Sequence, residues 1–268
     1  MSCVLRILPI IFLKGGGIFW IIHQYLWLRR PTAFILENVA GLSVVHEGQC
    51  IASVLRALWD LQVYNVYWDL LNTCDHGIPQ SRARFFFVGI LRTVDLGFEF
   101  PAAMPCPPLE VFLDPRECRP SFADLPPASA ATARQNALRG LDMLVSSGHD
   151  PFNELWVLDI DSSAGWGAAM ANCSPCLTRS RTQGFWLTNR GRRMRLQEAM
   201  RLQGLDSGFP VIVSEGQMRK QLGNSMSVNV LERLLSRLLP AAQLSSGQPV
   251  RDRYEGRWIY LSAAHVAR

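Results

Sequence analysis

The sequence predicts an α/β fold: a strand–helix–strand unit, a long irregular insertion, and closing helices. Three observations carry this. The short apolar run FILENV (34–39) is followed by an amphipathic pattern and then by two segments rich in β-branched and aromatic residues. From Phe100 to about Pro127 proline is dense and hydrophobic periodicity disappears. Near the C-terminus Leu231, Leu234, Leu235 and Leu238 recur at helical spacing.

Taken in order, IFWIIHQYLWL (18–28) spaces its apolar groups as a helix, closed by Arg29, Arg30 and Pro31. FILENV reads as a short buried strand. EGQCIASVLRALWDL (47–61) puts Ile51, Leu55, Leu58 and Trp59 on one helical face. VYNVYWDLLN (63–72) and RFFFVGIL (84–91) read as strands joined by the turn CDHGIPQ. Strand, helix, strand implies a βαβ crossover and a parallel sheet, with the last two strands forming an antiparallel edge. The insertion holds a helical piece, ATARQNALRGLDML, and a strand at LWVLDI. RLQEAMRLQGL is a helix ending at Gly204, and GNSMSVNVLERLLSRLL is another, with Asn224 or Ser225 as its cap. The expected organisation is an apolar N-terminus (1–14), a first catalytic-type segment (15–99), the insertion (100–190), closing helices (191–240) and an unassigned tail (241–268).

Composition narrows the class. The chain has 268 residues, 49% hydrophobic and 18% charged, with net charge +5 and pI near 9.0. This balance permits a polyanionic partner. Seven irregularly spaced cysteines do not suit a disulfide framework and read as reduced thiols of an intracellular protein. Arg6 interrupts the run VLRILPIIFL and KGGG follows it, which argues against a signal peptide or a membrane span. Cys173 and Cys176 form a C-x-x-C, but no second Cys or His pair completes metal-ligand spacing, so no metal is expected.

Candidate chemistry begins at Glu37, because a buried strand has no use for a carboxylate unless something pairs with it or protonates it. Arg82 and Arg84 stand at i and i+2 before an apolar strand, a spacing that directs two guanidinium forks to one face. Arg192, Arg193, Arg195 and Arg201 surround one helix start, a patch suited to phosphates. Arg192, Arg193 and Arg201, with Arg179 and Arg181 of the preceding loop, form the set expected to contact a polyanionic nucleic-acid backbone.

The order of these blocks is informative. RPTAFILENVAGL, GIPQSRARFFFVGI, SPCLTRS, EAMRLQG and KQLGNSMSVNVL resemble, in order, the later motifs of the cytosine-5 DNA methyltransferases. The resemblance spans roughly residues 15 to 239. It implies a partial Rossmann-like class I methyltransferase sheet with an inserted small target-recognition domain, S-adenosylmethionine as cofactor and double-stranded DNA as partner. It implies further that Glu37 holds the flipped cytosine at N3 and the exocyclic amine, with its pKa raised by burial. By the same resemblance Arg84 would contact the cytosine carbonyl oxygen, Arg82 would brace the active-site loop or the DNA backbone, Asn38 and Gln80 would support the geometry, and Asn224 and Ser225 would close over the cofactor. The location would be intracellular, nuclear in a eukaryote.

The pattern also breaks. The family carries its nucleophile in a Pro-Cys-Gln loop upstream of Glu-Asn-Val, and no such motif stands among the residues before Glu37. Cys3 lacks the flanking residues, while Pro105-Cys106 and Pro175-Cys176 follow the arginine motif rather than precede the glutamate. The expectation is therefore a shortened methyltransferase, inactive alone and completed by further polypeptide or by a complementary methyltransferase chain. The alternatives are a non-catalytic paralogue or DNA-binding regulatory partner, and a tRNA cytosine-5 methyltransferase. A further departure is Arg195 in place of the family's Thr three residues before Glu198, which predicts loss of a capping box at a cost of about 1 kcal/mol.

Overall fold

The computed structural model describes residues 17–163, 169–245 and 252; the expected apolar N-terminus and most of the expected tail lie outside them. The elements of the first part are α1 (Gly17–Arg29), β1 (Ala33–Val39), α2 (Gln49–Asp60), β2 (Tyr64–Asn72), β3 (Gln80–Ser81) and β4 (Ala83–Leu91). Then follow α3 (Ala131–Ser146), β5 (Trp156–Leu158), β6 (Ala169–Ala171), β7 (Ser174–Pro175), β8 (Trp186–Leu187) and β9 (Arg192–Arg193). Helices α4 (Leu196–Leu202), α5 (Glu215–Asn224) and α6 (Val228–Ala241) close the order. Among the described residues two compact units result, one built on 17–72, 83–104, 230–245 and 252, the other on 73–82, 105–163 and 169–229.

The first unit is organised by a sheet of order β1-β4-β2. β4 runs antiparallel to both neighbours, so β1 and β2 are parallel to each other with β4 between them. The expected parallel sheet is thus corrected to a mixed one: β1 and β2 run parallel across the α2 crossover, which skips one strand position, while the expected antiparallel pairing of the last two strands is that of β2 with β4. Burial explains the placement. β4 buries Phe85, Phe86, Phe87, Val88 and Ile90, side chains of both its faces, as a central strand must. β2 carries Asn65 and Asp69 and exposes much of its length, as an edge strand can.

One face of this sheet packs Phe34, Leu36, Phe85 and Phe87 against Ile22 and Leu26 of α1 and Leu55 and Leu58 of α2. Burial of each such side chain contributes roughly 2 kcal/mol before entropy is counted. Gly89 faces Phe34 in the β1–β4 register. A Cβ at Gly89 would lie 2.1–2.2 Å from ring atoms of Phe34, so the ring occupies the space that glycine leaves. The α2 face is narrower than expected: Leu55 and Leu58 are buried, whereas Trp59 is 51% exposed.

The second unit contains an antiparallel sheet of order β6-β5-β8-β9 and a two-residue parallel pair, β3 with β7. α3 repeats Ala133, Ala137, Leu141 and Leu144 along one face, packed with Leu158, Ile160 and Trp186. A second cluster joins Met200 and Leu202 of α4, Met218 and Leu222 of α5, and Leu109 and Phe112. The left-handed backbone of Gly204 (φ +84°) follows the end of α4 where the sequence places it. The last helix is entered later than expected. Asn224 ends α5, Ser225 is extended (ψ 155°), and α6 begins at Val228, so neither Asn224 nor Ser225 caps it at its start.

Candidate active site

In the first unit the candidate site is the carboxyl end of β1. Register places Glu37 opposite Phe86 and Val39 opposite Arg84. Glu37 and Arg84 are therefore diagonal neighbours on one face of the sheet, within reach of two long side chains. Arg84 Nε lies 3.7 Å from Glu37 Oε1, and the two side chains are only 16% and 12% exposed. A carboxylate so nearly buried needs a compensating charge, and the strand register supplies one. Arg84 also donates from Nη1 to its neighbour's carbonyl, Ala83 O, at 2.8 Å. Asn38 Oδ1 accepts from Val39 N at 2.7 Å and fixes the strand end, after which Ala40–Ser43 turn as a short 3-10 helix.

In the second unit Gln80 and Arg82 tie distant segments together. Gln80, fully buried, donates to Leu202 O at 2.8 Å and accepts from Leu177 N at 3.1 Å. Arg82 donates to Leu177 O at 2.8 Å, Ser225 O at 2.7 Å and Gly223 O at 3.3 Å. The same Ser225 carbonyl accepts from Gln203 Nε2 at 3.1 Å. One glutamine and one arginine thus join β3, the segment just after β7, the end of α4 and the end of α5. Gly223 is needed for that closure, because a Cβ there would meet Arg179 N at 2.2 Å and the Thr178 carbonyl carbon at 2.3 Å. Ser225 Oγ donates back to Leu222 O at 2.9 Å, while the Asn224 side chain is exposed and makes no hydrogen bond among the described residues.

The expected DNA-contacting arginines divide sharply. Arg181 pairs with Asp159 at 2.8 Å, Arg192 with Glu198 at 2.8 Å, Arg193 with Asp161 at 2.7 Å and Arg201 with Asp114 at 2.6 Å. Arg179 is exposed and has no ion pair among the described residues. Sequence reasoning missed the acidic partners, which lie 6 to 87 positions away from their arginines. It also missed Arg190, whose side chain is 3% exposed and forks onto Glu110 while donating to Asp114 O. At Asp114 burial works to raise the carboxyl, but hydrogen bonds from Arg201 and Arg195 outweigh it and hold the group below the usual carboxylate range.

Glu198 shows what the helix motif does. It is 0% exposed, takes both forks of Arg192, and accepts from Asp114 N at 2.9 Å and Arg195 N at 2.6 Å. The expected loss of the capping box is therefore only half correct. Arginine has no acceptor to cap the helix, but Glu198 still satisfies the Arg195 backbone N–H.

Three cysteines of this unit, Cys74, Cys106 and Cys173, are not activated. Burial, then Asp75, pushes the Cys74 thiol up to about 11, and burial pushes Cys106 up to about 12. Burial also raises Cys173. A nucleophilic cysteine needs the opposite shift. Among the described residues no group of His, Cys, Asp and Glu could hold a metal ion, and no helix is long and apolar enough to cross a membrane.

The sequence model of the C-5 cytosine-specific DNA methylases matches residues 13–116 and 156–239. The chain belongs to that family. Among curated relatives, the type II methyltransferase M.NgoBI of Neisseria gonorrhoeae is 31% identical over 248 residues, covering 91% of this chain and 71% of the relative. M.HaeII of Haemophilus aegyptius is 28% identical over 231 residues, covering 86% and 68%. Among solved structures, the methyltransferase EhMeth of Entamoeba histolytica superposes with a TM-score of 0.51 at 16% identity, covering 88% of this chain and 75% of that one. The Dnmt2 methyltransferase of S. pombe gives 0.50 at 18% identity, covering 80% and 68%. These two likenesses concern the fold. In the methylase family frame, Glu-Asn-Val is the end of β1, Gln-x-Arg-x-Arg is β3 and the start of β4, and Gly-Asn-Ser is the end of α5.

Proposed function

We propose that this methylase-family chain is the C-terminal portion of a DNA cytosine-5 methyltransferase that takes its methyl group from S-adenosylmethionine. The observation that carries the proposal is the nearly buried Glu37 at a strand end, held diagonal to Arg84. A carboxyl in that setting can hold a cytosine ring at N3 and its exocyclic amine and pass a proton to N3, while Arg84 reaches the carbonyl oxygen. Gln80 and Arg82 act as positioning residues, because their hydrogen bonds go to backbone rather than outward. Bound S-adenosylmethionine supplies an electrophilic methyl group. The exposed amide of Asn224, which makes no hydrogen bond among the described residues, and the tightly packed turn at Gly223 suit one wall of a cofactor pocket. Arg179 is the arginine best placed to meet a DNA phosphate; Arg181, Arg192, Arg193 and Arg201 serve first as internal ties. An intracellular location belongs to the same reading.

The nucleophile must come from other polypeptide, either upstream in the same product or in a complementary chain. The test is methyl transfer from radiolabelled S-adenosylmethionine to duplex DNA and to tRNA in parallel. The full native product, captured through a C-terminal epitope, should label DNA in preference to tRNA, and Glu37→Gln should reduce labelling by at least about 100-fold. Labelling of tRNA alone would reassign the substrate, and no labelling of either would leave a binding role.

A further inference from the structure

We infer that Arg179 and Lys220, brought together by the packing of Gly223, form a contact for the backbone of duplex DNA, one phosphate to each cation. This rests on the proposed reading of the chain as part of a DNA methyltransferase, and it names two residues of the second unit through which the duplex is held.

The contact is built from a turn and a helix. Arg181 N donates to Thr178 O at 3.1 Å, which closes a tight turn over residues 178–181. Arg179 and Ser180 stand at its tip, both exposed. The turn is fixed at its base, where Arg181 pairs with Asp159 at 2.8 Å, and Thr178 Oγ1 lies 3.2 Å from Ser180 Oγ. Its backbone lies on α5 at Gly223, where a Cβ would meet Arg179 N at 2.2 Å. Lys220 stands three positions before Gly223 on the same helix and is exposed. Helix neighbours at that spacing are about 5–6 Å apart, and the close approach at Gly223 adds about 5 Å at most, so the backbones of Arg179 and Lys220 are within roughly 11 Å of each other. Two side chains of this length can then reach neighbouring phosphates of one strand.

Charge singles the pair out. The other described arginines of the second unit, Arg139 excepted, are engaged by carboxylates or by backbone carbonyls. Neither Arg179 nor Lys220 has an ion pair or a side-chain hydrogen bond among the described residues. The carboxylate of α5, Glu215, is taken by Arg219 at 2.8 Å, and Gln217 and Gln221 extend the exposed face with neutral amides. Like charges this close repel, and the turn and Gly223 hold them together against that repulsion. A surface of two cations, a serine hydroxyl and amides, with Glu215 and Asp159 already paired, suits a polyanion. Contacts of this kind position a duplex and read no base, so the site is independent of sequence.

Binding of the full chain to fluorescent duplex DNA, followed from about 50 to 200 mM salt, tests this. Lys220→Ala should lower the slope of log K against log[salt] by about 0.9, and the double change with Arg179→Ala by about 1.8, equally on two duplexes of unrelated sequence. Lys220→Arg should keep the slope of the unmodified chain, because the charge remains. Urea unfolding of Lys220→Ala should match that of the unmodified chain, which separates lost binding from lost fold. A slope unmoved by Lys220→Ala but lowered by Arg179→Ala overturns the inference and leaves the methyltransferase reading standing. A loss confined to one of the two duplexes overturns it as well, since that is base readout. No binding of duplex DNA by the unmodified chain, whether or not tRNA is bound, overturns the reading and the inference together.

Discussion

Arg82 donates to the carbonyl oxygens of Leu177, Gly223 and Ser225, and while Ser225 O keeps Gln203 Nε2 as a donor, loss of the arginine strips this donor from Leu177 O and Gly223 O. Arg82→Ala should cost about 3 kcal/mol in urea denaturation of the second unit, and Arg82→Lys should recover less than half, because an ammonium cannot span the same fork. A cost below about 1 kcal/mol would show that these bonds do not hold the segments together. Asp114 makes a pH prediction. Its carboxyl is held below the ordinary value of 3.8 by Arg201 and Arg195. A depressed folded-state value stabilises the protein above the unfolded value, and that stability is lost as pH falls through the folded one. Asp114→Asn should therefore cost about 1–2 kcal/mol at neutral pH, and the gap should close progressively below pH 3.8. Arg179 separates surface from interior. If it meets a phosphate, Arg179→Ala should reduce the salt dependence of DNA binding by roughly 0.9 in the log–log slope. Arg192→Ala, which breaks a pair with the fully buried Glu198, should instead lower stability.

Elements show where the sequence was legible and where it was not. The helix at 17–29, the strands at 64–72 and 83–91, and the end of α4 at Gly204 follow from periodicity and composition. Strand order did not, although a signal existed: RFFFVGIL is continuously apolar, while YNVYWDLLN carries Asn65 and Asp69, which marks the first as central and the second as an edge. The ion pairs of Arg192, Arg193 and Arg201 were hidden because their partners' proximity is created by folding, and an arginine-rich stretch reads alike whether it faces phosphates or carboxylates. Glu37 was legible as an anomaly, a carboxylate ending an apolar run, and its pairing with Arg84 follows only from the β1–β4 register. That register depends on Gly89. Gly89→Ala should cost roughly 2–3 kcal/mol in thermal or urea unfolding, because the added methyl collides with the Phe34 ring. Combined with Phe34→Leu the loss should be well below the sum of the two single changes; strict additivity would mean the ring does not occupy that space.

For the whole molecule, the first consequence is chemical. Cys74, Cys106 and Cys173 all have raised thiol values, and no Pro-Cys-Gln stands in the chain. Incubated alone with 5-fluorocytosine duplex DNA and S-adenosylmethionine, the chain should give no covalent adduct on a denaturing gel; an adduct would mean that one of its seven cysteines is the nucleophile. The second consequence concerns time. β4 lies between β1 and β2 yet is made after both. On the ribosome, the first two strands therefore have no partner in each other and wait with their hydrogen-bonding edges open until residue 91 has emerged. Glu37 meets Arg84 in that same step, 47 positions after its own synthesis. The birth of the carboxylate site and the closing of the sheet are one event, and any nascent chain stalled before β4 presents a ladder with its middle rung missing.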